Sequence, residues 1–168
     1  MIIQRSRPTG VDRKIDLIQR WIDKHQRWGS AAIYGRLHIT ERGDYSVFEH
    51  IGANGQASEV FVDDKQQVTI GFYVESQGTE LPLTATVRII FSFNIQKILS
   101  TTGYTVEDLH LQAMAMLAKC GYIESTGNIM LTLEEALADS TVERYKYRDM
   151  FPYHTFAIPI TISYIGAC

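Results

Sequence analysis

Apolar residues at Val11, Ile15, Ile18 and Ile22 recur at i, i+4, i+7 and i+11, with Leu17 and Trp21 widening the stripe. Asp16, Arg20, Asp23, Lys24 and Arg27 fall on the other faces, so residues 11–28 predict an amphipathic helix that Gly29 stops. The period then changes. Ile33, Leu37 and Ile39 alternate roughly with Tyr34, Arg36 and His38, which predicts a strand over 31–39 ending at the turn Glu41-Arg42-Gly43-Asp44. Around Gly52 and Gly55 there are only short strand-like pieces, Tyr45-Ser-Val-Phe48 and Glu59-Val-Phe-Val62, so a loop or arm, irregular or hairpin-like, is expected at about 43–66. Residues 67–75 and 83–94 are dominated by β-branched and aromatic side chains and predict strands, with Ser76-Gln-Gly78 and Pro82 marking the turn. In the second, Ile89, Phe91 and Phe93 share one face and Arg88, Ile90 and Ser92 the other; apolar residues on both faces predict a central strand covered on both sides.

Thr105-Val-Glu-Asp108 is a capping pattern, and Leu109, Ala113, Met116 or Leu117, and Cys120 form the apolar stripe of the helix it opens, with Gly121 as the expected stop. A short strand is expected over 128–133, and Thr132-Leu-Glu-Glu135 opens a short helix through Asp139. The last element is a long strand over 153–164, in which Phe156, Ile158, Ile160 and Ile162 alternate against Thr155, Ala157, Thr161 and Ser163. Pro159 lacks an N–H, so this strand is expected at a sheet edge or with a bulge. Helices and antiparallel-looking strands do not alternate strictly, which predicts an α+β fold: a small, mostly antiparallel sheet packed by two or three helices.

Composition narrows the picture. The chain has 168 residues, 45% hydrophobic and 21% charged, which fits one domain and excludes disorder and a coiled-coil rod. Its 16 Lys and Arg against 19 Asp and Glu give a formal charge of -3, far from the basic balance of a phosphate-neutralising DNA binder. No apolar run is long enough for a signal peptide or membrane span, and Cys120 and Cys168 are expected as reduced thiols.

Candidate chemistry is sparse. The five histidines, His25, His38, His50, His110 and His154, never occur at H-x-H or H-x-x-x-H spacing, so no metal site is expected. Asp63-Asp64 lacks the glycine and late Glu of a calcium loop and reads as a turn. Gly52-Ala-Asn-Gly55 has no Lys-Ser/Thr and no following helix, which excludes a phosphate-cradling loop. No nucleophile elbow is present, and Cys120 lies on a buried stripe, so no catalytic residue and no cofactor are expected. Val142-Glu-Arg-Tyr-Lys-Tyr-Arg-Asp149 interleaves basic and aromatic residues, a composition that suits protein contact, plain exposure or, less well, a nucleic-acid strand.

The run Arg88-Ile-Ile-Phe-Ser-Phe-Asn-Ile-Gln-Lys-Ile-Leu99, the helix near Thr105, the short acidic helix and the closing segment with Met150-Phe-Pro-Tyr-His154 together resemble head-to-tail connector proteins of tailed bacteriophages, notably those infecting Bacteroidetes, of the tail-terminator or neck-ring type. The resemblance spans about residues 83–164. It implies a structural virion subunit, present in the host cytoplasm during assembly, that forms a homo-oligomeric ring around the DNA channel. Its partners would be copies of itself and adjacent portal, connector or tail rings, with DNA only as passing cargo, no membrane and no catalysis. Contact residues expected on this reading are Tyr45 and Phe48 in the excursion and Arg144, Tyr145, Tyr147 and Arg148 before the last strand. The competing expectation is a small monomeric or dimeric enzyme or ligand-binding domain whose site is scattered in sequence, using such residues as His154 or Asp64. A chaperone or immunity factor that binds one partner is a third.

Overall fold

The stripe at Val11, Ile15, Ile18 and Ile22 is buried on α1 (Gly10–His25) in the computed structural model, which describes residues 1–3, 8–62 and 65–165. Asp63, Asp64 and Cys168 lie outside the described residues. The helix stops earlier than Gly29 because the Gln26 side chain takes over the chain's hydrogen bonds, accepting from the Trp28 N–H at 2.8 Å and donating to the Gly29 carbonyl at 3.2 Å. Gly29 serves the turn that follows: its φ is +97°, and a Cβ there would lie 1.7 Å from Gln67 Oε1.

The strands are β1 (Ile2–Ile3), β2 (Ala31–Arg42), β3 (Tyr45–Ile51), β4 (Ala57–Glu59), β5 (Val68–Gln77), β6 (Leu83–Asn94), β7 (Ser125–Thr126) and β8 (Tyr153–Tyr164). They form one eight-stranded mixed sheet in the order β4-β3-β2-β5-β6-β8-β7, with β1 beside the first residues of β2. Among the described residues, only the β1–β2 and β2–β5 pairings are parallel. The fold is therefore α+β with a mostly antiparallel sheet, but the sheet is larger than expected, because the segment expected as a loop or arm contributes β3 and β4 to it.

β6 is the central strand its pattern predicts, paired along its length with β5 and β8 and buried on both faces. β8 pairs with β6 in unbroken register, so Pro159 makes no bulge. Among the described residues, the far side of β8 carries only the two-residue β7 and a bridge from Met130 to Ala157, in place of the strand expected over 128–133. The Pro159 carbonyl accepts from the Gly127 N–H at 2.7 Å on that side, where the missing proline N–H leaves the β6 ladder intact.

One face of the sheet is covered by α1, by α2 (Ile95–Thr102) and by α3 (Val106–Ala118). The periodicity did not separate α2 from the strand before it; Asn94 ends β6 and caps α2, its Oδ1 accepting from the Lys97 N–H at 3.1 Å. Thr105 and Asp108 cap α3 reciprocally, and Met116 and Leu117 are both buried. The other face is covered by the chain leaving β4, by the short α4 (Leu133–Ala136), capped by Thr132 and Glu135, and by a 3-10 helix at Val142–Asp149.

Candidate interaction surfaces

The six residues expected to contact a neighbouring subunit come from segments about a hundred residues apart, and they converge mainly on one another. Thr141 and Ser46 start the junction: the Ser46 N–H donates to Thr141 Oγ1 at 2.8 Å and the Thr141 N–H to the Ser46 carbonyl at 3.0 Å. The 3-10 helix then runs as a strap over β3 and β4. Arg144 grips Glu59 with two hydrogen bonds of 2.7 and 2.8 Å, and its guanidinium lies 4.7 Å from the centre of the Tyr45 ring. The fully buried Tyr145 accepts from the Phe48 N–H at 3.1 Å and donates to Glu59 at 3.3 Å. Tyr147 donates to the Phe61 carbonyl at 2.7 Å, and Arg148 Nε donates to the same oxygen.

This arrangement corrects three of the expected contact residues. Phe48, Tyr145 and Arg148 are 0%, 0% and 2% exposed, so they have no surface to offer a neighbour. The reason is chemical as well as geometric: tyrosine and arginine side chains of the 3-10 helix reach backbone groups beneath it, Tyr145 the Phe48 N–H and both Tyr147 and Arg148 the carbonyl of Phe61, whose φ is +69°. Arg144 and Tyr147 keep part of their surface exposed, while Tyr45 is half-buried under Arg144. Arg144 and Tyr145 hold the Glu59 carboxyl below its ordinary range, and burial pushes the Tyr145 hydroxyl up.

Among the scattered exposed apolar side chains, which include Leu111 on α3, the three most exposed lie at the two ends of the β6–β8 pair. Leu83 pairs with Tyr164 at one end and Asn94 with Tyr153 at the other. Leu81, 87% exposed, and Ile165, 85% exposed, flank the first end; Met150, 65%, and Phe151, 77%, flank the second. Twelve-residue strands separate the two clusters by about 40 Å. Met150 and Phe151 are adjacent in the chain, but sequence spacing could not reveal that Leu81 and Ile165 flank the same end, which depends on the pairing of Leu83 with Tyr164.

Two further groups were invisible to motif reading. His110 on α3 and His154 on β8 meet with their Nε2 atoms 2.7 Å apart, so one ring donates to the other. Burial lowers the pKa of both, and His154 further opposes charging of His110. The buried Arg88 on β6 pairs with Glu75, donates to the carbonyls of Ala136 at 3.4 Å and Ala138 at 3.2 Å, and lies 5.6 Å from the Tyr73 ring. Cys120 is buried and its thiol pKa is raised by burial, the state of an unreactive packing residue. Among the described residues no three His, Cys, Asp or Glu side chains converge on a metal position, and no helix is long and apolar enough to cross a membrane. No family model, curated protein or solved structure matches the chain.

Proposed function

We propose that the chain is a non-catalytic structural subunit of a tailed-phage virion, of the tail-terminator or neck-ring type, that closes head to tail into a ring around the DNA channel. The observation that carries this reading is the pair of exposed apolar clusters at opposite ends of β6 and β8, Leu81 with Ile165 and Met150 with Phe151. Contiguous exposed apolar surface marks interaction sites in soluble proteins. A heterologous interface requires two different patches on one subunit, and rotation between successive copies closes it into a ring. The formal charge of -3 suits a conduit, since dense cationic surface would hold passing DNA by its phosphates. Adjacent portal, connector or tail rings would meet the ring's faces, and the tail-terminator-like reading of the fold rests on the resemblance carried by residues 83–164.

Native mass spectrometry and negative-stain microscopy of the purified chain test this reading. A closed oligomer of defined copy number is the expected result. A chain that stays monomeric at high concentration, and also in the presence of the neighbouring virion proteins, would overturn it. The competing ligand-binding reading is favoured by one specific observation, a pocket walled by both of the chain's tryptophans.

A further inference from the structure

A pocket of about 290 Å³ lies where the C-terminal end of α1 and the turn after it meet α3. Trp21, Trp28, Tyr104 and Met116 wall it, and these include both tryptophans of the chain. The two indole N–H groups are already committed: Trp21 donates to the Met116 carbonyl at 3.1 Å and Trp28 to Gln112 Oε1 at 3.0 Å. An indole N–H can only donate, so the Gln112 oxygen faces Trp28 and the Nε2 donors of that amide are left over at the pocket wall. Arg27 and Lys119 stand on the same wall, and among the described residues neither pairs with a carboxylate. Nor does any Asp or Glu among the described residues line the pocket.

We propose that this pocket binds a small aromatic carboxylate, its ring against the aromatic wall and its carboxylate held by Arg27, Lys119 and the Gln112 amide. The ring follows from the walls, because indole, phenol and thioether surfaces gain most from a flat apolar partner. The negative charge follows from the uncommitted groups, which are two cations and an amide donor. The C-terminal ends of α1 and α3 contribute about half a negative charge each, less than the two full positive charges beside them. Carbonyls of those last turns are also occupied, that of Trp21 by His25 Nδ1 at 2.8 Å and that of Met116 by the Trp21 indole. His25 adds a lone pair at Nε2, but on an exposed ring that water reaches. A cationic ligand is disfavoured because it would meet Arg27 and Lys119 with no carboxylate to offset them. The volume admits one substituted ring, at the lower end of small-molecule sites. The pocket lies within one subunit and stands or falls independently of ring assembly.

Tryptophan fluorescence reads this pocket alone, because both of the chain's tryptophans line it. Sodium benzoate is the probe, titrated into the full chain, with benzamide as the neutral ring of the same shape and sodium acetate as the anion without a ring. A saturable change in emission with benzoate is expected, with benzamide weaker by about threefold or more and acetate without a saturable effect. Replacing both cations, Arg27→Gln with Lys119→Gln, at exposed positions where the fold should survive, should weaken benzoate by about threefold or more and leave benzamide unchanged. If that double variant fails to fold, benzoate against benzamide on the wild-type chain decides alone. An absent or non-saturating benzoate response, equal binding of benzamide, a saturable response to acetate, or undiminished benzoate binding by the folded double variant would each overturn the proposal.

Discussion

The two faces of the sheet are covered by different chemistry. Under α1, α2 and α3 the contact is almost wholly hydrocarbon and aromatic: Ile15, Ile18, Ile22 and Leu109 meet the sheet, and Phe91 stacks on Phe156 at 5.1 Å while Trp28 meets Phe93 edge-on at 5.0 Å. Under the strap the apolar cluster is smaller, and the same strands turn Arg88, Ser92 and Thr155 toward it, all buried. That face is tied by directed bonds, Tyr145 to Phe48 and Glu59, Arg148 to Phe61, and Arg88 to the ends of α4. Hydrophobic burial is non-directional and tolerates helices placed by periodicity alone, whereas a polar cover holds only if each donor finds its acceptor. The difference teaches why a segment rich in Tyr and Arg need not be a surface for partners: here it is the lid of a half-polar core.

Three perturbations probe that contrast. Phe91→Ala removes a ring from the centre of the helix-covered face and should cost about 3–5 kcal/mol in urea unfolding. Tyr145→Phe keeps the ring but leaves the buried Phe48 N–H without its acceptor, and should cost about 1–3 kcal/mol. A loss below a few tenths of a kcal/mol would mean the strap is held by packing alone, erasing the distinction between the faces. Replacing both Tyr145 and Arg148 by Ala is accordingly expected to damage the fold rather than to weaken assembly selectively.

Acid separates the two faces by degree. His110 and His154, on the helix-covered side, and His50 have pKa values lowered in the folded state from 6.5, so the unfolded chain binds more protons below that value. Stability must therefore fall as pH drops below about 6.5, by at most about 1.4 kcal/mol per pH unit for each histidine. Glu59 has a folded pKa lowered from 4.5, so the stability it contributes to the strap is present above that value and is lost only as pH falls through the lower folded one. Chemical unfolding from pH 8 to pH 4 should show the histidine loss first, and His110→Phe should flatten the first decline. A flat profile between pH 7 and pH 5 would contradict the burial of the His110–His154 pair.

What could be foreseen divides along the same line. The stripe of α1, the two-sided burial of β6, the capping of α3 by Thr105 and Asp108 and the alternation of β8 were legible, because each depends on neighbours within a few residues or on a simple period. The strap was not, because Tyr145 is defined by Phe48 and Glu59, separated from it by 97 and 86 positions. α2 was missed because its eight residues follow β6 directly, with only Asn94 between apolar strand and apolar helix. Likewise, His110 and His154 are 44 positions apart and belong to different elements, so no spacing rule could join them.

The central claim, that the two ends of the β6–β8 pair form one head-to-tail interface, is tested most directly by mixing two variants. Leu81→Asp spoils one end and Phe151→Asp the other, both at exposed positions where the fold should survive. Each variant alone lacks one half of every contact and should sediment as a monomer. An equimolar mixture retains one intact contact, between the good end of each, and should form a heterodimer that grows no further while the wild-type chain assembles into larger species. A mixture that stays monomeric beside an assembling wild-type chain, or variants that assemble as well as the wild type, would contradict the claim.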